Sequence, residues 1–120
     1  MEILETVHGI VRWLILGVGL FGLGAAVTGG GAERRALPVS AIFVGLLDLQ
    51  LLLGACLWIF FREARAGAGP HALVMLGAIA LAHVLRARVR RAPPETRRRL
   101  LILGFGLPLL VIVPAFLFLV

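Results

Sequence analysis

Four apolar stretches, each about as long as a helix that crosses a hydrocarbon core, fill nearly all of this 120-residue chain. A spanning helix takes about 20 residues. The runs cover about 3–28, 38–61, 70–89 and 96–120. The chain is 61% hydrophobic, against roughly 45–50% in soluble domains. One domain, 1–120, is expected at this length. The links are short and carry helix punctuation. Gly29-Gly30-Gly31 ends the first run, and Pro38 suits the first turn of the second. Gly67, Gly69 and Pro70 separate the second from the third. Pro93-Pro94 breaks the third from the fourth, with Thr96 as the expected N-cap. Short links make successive helices antiparallel neighbours, so the expected fold is all-α, an integral membrane four-helix up-down bundle.

All twelve basic residues are arginine. In a soluble protein a net charge of +6 would suggest nucleic acid. Here the arginines sit between hydrophobic runs, so membrane orientation explains them and no nucleic-acid partner is expected. Arg86, Arg88, Arg90, Arg91, Arg97, Arg98 and Arg99 flank the third link, which the positive-inside rule assigns to the cytoplasm. Arg34 and Arg35 then face the same way. Arg62, Glu63, Arg65 and both termini face out. Glu2 and Glu5 precede the first run where a signal peptide would carry a cationic segment, so that run is read as a retained transmembrane helix. The arginine loop is a topology signal and a surface for anionic lipid headgroups. The lone Cys56 cannot form a disulfide within one chain and reads as a packing residue. Trp13 and Trp58 read as interfacial anchors. Gly17, Gly19, Gly22 and Gly24 suit close helix packing in the first helix.

The polar residues at membrane depth carry the functional argument, because such side chains are costly in a bilayer. At ~1.5 Å per residue, His8 lies about 8 Å below the outer end of helix one and His71 within about 2 Å of the outer end of helix three. His83 lies about 18 Å deeper than His71 on the same helix. A haem between two helices needs two facing imidazoles at similar depth, and His8 with His71 is the best-matched pair. His8 with His83 is mismatched by about 11 Å. Three histidines allow one bis-histidine haem. A second haem at His83 would require a different ligand, an open position or another subunit. Arg12, one turn from His8 on the same face, suits a haem propionate, an acid or outward snorkelling. Asp48 lies near the middle of helix two, where a carboxylate costs at least about 2.5–3.5 kcal/mol, so it is expected to face the interior with a partner. His83 is at a similar depth. Asp48 reads either as structural, bonded to His83 or to Arg12, or as part of a proton relay or quinone site for which Asp48 and Gln50 are the candidates. Gln50 lies about 200° around the helix from Asp48, so the two are not expected to serve one ligand.

These pieces carry a resemblance. His8-Gly9-Ile10-Val11-Arg12-Trp13, then Asp48-Leu49-Gln50-Leu51-Leu52-Leu53-Gly54, then His71, Met75, His83 and the Arg97-Arg98-Arg99-Leu100 start of helix four resemble the small bacterial four-helix integral membrane proteins labelled cytochrome b-like. The resemblance implies a multi-pass protein of the bacterial inner (cell) membrane that binds haem b, with His8, His71, His83 and Arg12 as the carried-over residues. It also implies an electron carrier, working with a quinol or as a subunit of a respiratory complex, and no enzyme by itself. The second link is shorter than the family pattern. Two other readings remain open: a cofactor-free accessory or assembly subunit, and a small proton-coupled transporter working as a homo-oligomer through Asp48.

Overall fold

A computed structural model describes residues 2–29, 31, 33–62 and 68–118. Gly30, Glu63, Arg65 and Gly67, named above for the links, lie outside the described residues. The described residues form four helices: α1 (Glu2–Thr28), α2 (Glu33–Phe60), α3 (Gly69–Arg91) and α4 (Pro94–Phe118). All four are long and apolar enough to cross a membrane, and most of each apolar stretch faces outward. The packed molecule is 48 Å long and 22 by 21 Å across, so its length is set by the helices themselves.

The helix boundaries differ from the sequence reading where proline was taken as a start or stop. α2 begins at Glu33, ahead of Pro38. Near a helix start a proline forfeits one backbone bond, to the Arg34 carbonyl, which the turn before it tolerates. α4 begins at Pro94, so Thr96 is inside the helix and is not its N-cap. The Pro93 carbonyl accepts the Thr96 and Arg97 N–H groups at 3.1 and 3.2 Å, and the Thr96 hydroxyl at 3.2 Å. A proline in the first helical turn lacks only an N–H that would have been unpaired there.

At the end of α1, Gly29 has φ +64 and Gly31 φ +99, the left-handed region that favours glycine. The last-turn carbonyls find partners: Gly29 N–H donates to Ala25 at 3.3 Å, and Arg98 Nε donates to Ala26 at 3.0 Å. A second Arg98 nitrogen donates to the Val27 carbonyl. One arginine of the basic loop therefore ties α4 to the C-terminus of α1, where a cation also favours the helix dipole. Arg86 does similar work between α3 and α2, donating to the Ser40 hydroxyl and to the Leu37 carbonyl.

α1 packs most closely on α2, and α3 on α4, while α2 and α3 touch far less. α2 and α4 meet across the centre and α1 and α3 stand apart. The middle of the core is built on Phe43 and Phe105, each 1% exposed, with ring centroids 5.3 Å apart. Both rings lie against α1 where it carries no side chain. A Cβ on Gly19 would stand 2.8 Å from Phe43 Cε1, and one on Gly22 would stand 2.3 Å from Phe105. Gly17 and Gly24, by contrast, have nothing within 4 Å of that position.

Candidate functional site

Two polar loci form at different levels of the molecule. The first gathers the start of α1, the later part of α2, the start of α3 and the end of α4. Gln50, 6% exposed, donates its amide N–H to the His8 backbone carbonyl at 3.0 Å. The His8 ring lies over α2 at Gly54, where a Cβ would stand 3.5 Å from His8 Nε2. The glycine leaves room beside that nitrogen. Arg12, on the same face of α1, lies within electrostatic reach of both the His8 and the His71 rings. Its guanidinium sits over the Phe116 ring of α4, 4.1 Å from the centroid, and Trp13 meets the same ring edge-on at 5.4 Å. The His71 ring lies close to the Ala115 backbone of α4.

The hydrogen-bond accounting of this locus is incomplete in a specific way. Arg12 Nε, Gln50 Oε1 and His71 Nδ1 are buried and have no partner among the described residues. Each such atom costs about 1–3 kcal/mol, and three of them fall in this one cluster, with Arg97 Nε as another elsewhere. Arg12 has no acid: among the described residues the one ion pair is Asp48–His83.

That pair is the second locus. His83 Nε2 and Asp48 Oδ1 are 2.7 Å apart, across the thinly packed side between α2 and α3. Asp48 has its partner, but it does not face the interior as expected: the His83 and Asp48 side chains are 51% and 50% exposed. The reason is angular. Gln50 takes the buried side of α2 and Leu47 fills the core beside it, so Asp48 is carried to the outer face. Gln50 and Asp48 serve different loci, as their angular separation requires.

The structure thus brings His8, Arg12 and His71 together, adds Gln50, and leaves His83 apart with Asp48. It also supplies contributors that the sequence reading missed. α4 carries no polar side chain in its apolar part, yet its Phe116 ring lies under the Arg12 guanidinium and its Ala115 backbone lies close to His71. The only signal was the neighbouring Pro114, and a proline in a helix does not by itself point to a site. Among the described residues no group of three or more His, Cys, Asp and Glu is placed to hold a metal ion, so two imidazoles are the whole nitrogen set of the first locus. Two cavities lie elsewhere: about 10 Å³ beside Ser40, Phe43 and Phe105, and an open groove of about 370 Å³ between Arg86, Arg90 and Arg97. No family model, curated protein or solved structure matches the chain.

Proposed function

We propose that this chain is a multi-pass membrane protein of up-and-down topology that binds one haem b between α1 and α3 and carries single electrons. The observation that carries the reading is the convergence of His8 and His71 from separate helices on an arginine that has no acid partner among the described residues. The donor set suits the group. His71 presents a buried ring nitrogen with no partner among the described residues, and His8 Nε2 lies beside Gly54, which has no side chain. Arg12 supplies a cation for a propionate, and its neighbour Phe116 keeps the guanidinium stem dry. Haem would supply the one-electron chemistry. The protein's own part is to fix two imidazoles, neutralise a carboxylate and exclude water.

Orientation follows from charge. Arg34, Arg35 and the seven arginines from Arg86 to Arg99 cluster at the end opposite the histidine locus. That end faces the cytoplasm, with the haem locus and both termini outside, in a bacterial inner membrane. A quinol in the bilayer or a partner subunit is the fitting electron donor. His83 is committed to Asp48, which argues for a single haem per chain.

The test is a reduced-minus-oxidised absorption spectrum of the detergent-purified protein, with a pyridine haemochrome assay against protein mass. One haem per chain with low-spin bands is expected, and each of His8→Ala and His71→Ala abolishes those bands. A colourless protein from haem-replete cells defeats the reading; full low-spin occupancy in both variants defeats the ligand assignment.

A further inference from the structure

From the Asp48–His83 couple we infer that the outer face of α2 and α3 is the contact surface for a second copy of this chain, so that the protein is a two-fold homodimer in the membrane. The inference rests on the membrane location proposed above and not on the haem. Asp48 lies near the middle of α2 (Glu33–Phe60) and His83 near the middle of α3 (Gly69–Arg91). Both are about half exposed, with Leu49, Leu52, Leu76 and Val84 exposed around them. At that depth the medium is hydrocarbon, which offers a carboxylate and an imidazole nothing in return. Polar side chains at membrane depth almost always face protein or a water-filled cavity.

The chemistry of the couple selects the occupant. A pair that stays net neutral in a low-dielectric medium holds one shared proton between Asp48 Oδ1 and His83 Nε2. Wherever that proton rests, His83 keeps a second N–H at Nδ1, and Asp48 keeps an acceptor at Oδ2. One donor and one acceptor side by side are self-complementary. A two-fold axis between them lets His83 Nδ1–H of each copy donate to Asp48 Oδ2 of the other, closing a four-residue ring that leaves no polar atom to lipid. The surface around the couple permits the approach. A Cβ built on Gly45 of α2, one turn from Asp48, meets nothing within 4 Å, so the α2 backbone is bare on this face, which favours close helix packing in membranes. The thin contact between α2 and α3 leaves the couple accessible between them.

The experiment counts subunits of the full chain in liposomes at low protein-to-lipid ratio, by single-molecule photobleaching, after carbonate extraction has shown that the protein is integral. Failure at the extraction step overturns the membrane reading; failure after it overturns the dimer alone. The wild type is expected to be dimeric. Asp48→Leu, which removes two inter-copy hydrogen bonds, weakens the dimer on the order of 10- to 100-fold in dissociation constant. Gly45→Leu, whose Cβ meets nothing within 4 Å inside one chain, adds its bulk at this exposed position and blocks the face. In a Cys56→Ser background, Ala41→Cys cross-links between copies and Leu110→Cys on α4 does not. A monomeric wild type overturns the inference. So does a dimer that is unchanged by both Asp48→Leu and Gly45→Leu, or one that cross-links through Leu110→Cys, since another face would then hold it.

Discussion

Gly22→Ala is the smallest perturbation that tests how this core is built. The added Cβ would stand 2.3 Å from both Cε1 and Cζ of Phe105 and 2.9 Å from Cδ1. Ordinary contact begins at 3.4 Å, so the ring must retreat by about 1 Å or α1 must shift. The ring cannot swing freely: it is 1% exposed and its other side meets Phe43, at 5.3 Å between centroids. Overpacking of this kind costs about 1–3 kcal/mol. Removing a glycine from a helix returns about 0.5–1 kcal/mol. The net expectation is a loss of roughly 1–2 kcal/mol, read as a lower unfolding midpoint in mixed detergent micelles. Gly24→Ala is the control, because nothing lies within 4 Å of its Cβ position; it is neutral or stabilising by up to about 1 kcal/mol. Phe105→Leu removes the ring atoms that clash, so the double variant recovers part of the loss, with a coupling of roughly 1–2 kcal/mol. A Gly22→Ala protein as stable as Gly24→Ala, or strictly additive effects with Phe105→Leu, refutes the packing described for α1, α2 and α4.

Other expectations follow from single contacts. Arg98→Ala frees the Ala26 and Val27 carbonyls at the end of α1 and lowers stability by about 1 kcal/mol, whereas Arg99→Ala, with no such bond, stays within about 0.5 kcal/mol; equal midpoints for the two would contradict the capping role. Gln50→Met removes one hydrogen bond to the His8 carbonyl and, with it, the unpartnered Oε1. The two terms offset, so the fold changes by less than about 1 kcal/mol while haem affinity in a titration falls; a large loss of stability with haem binding intact would make Gln50 purely structural. Arg12→Met, which keeps a long apolar stem over Phe116, preserves folding in thermal scans and weakens haem retention on a desalting column. Unchanged retention would remove Arg12 from the site.

How much was legible in advance depended on what kind of information each feature carries. The four long apolar runs and the arginines at the links are one-dimensional signals, and the helices fall where those signals put them, give or take the turns at Pro38 and Pro94. Depth is nearly one-dimensional too, since rise per residue is constant along a helix. It put His8 level with His71 and Asp48 near His83, and those are the residues the structure brings together.

Direction around each helix was not available. In a soluble helix the apolar stripe marks the buried side, but a helix that is apolar all round gives no such mark. Nothing in the run from Gly17 to Gly24 says that Gly19 and Gly22 meet Phe43 and Phe105 while Gly17 and Gly24 face out. Nothing in α2 says that Gln50 turns inward and Asp48 outward, or that Arg12 rests on the Phe116 ring and not on an acid. The sequence determined how many helices there are, how long they run and at what level each polar group lies, because length and rise are properties of one chain segment. Only the packing of four helices against one another decided which way each side chain points, because that choice is made by the shapes of Phe43, Phe105 and the glycines opposite them, and these meet only in three dimensions.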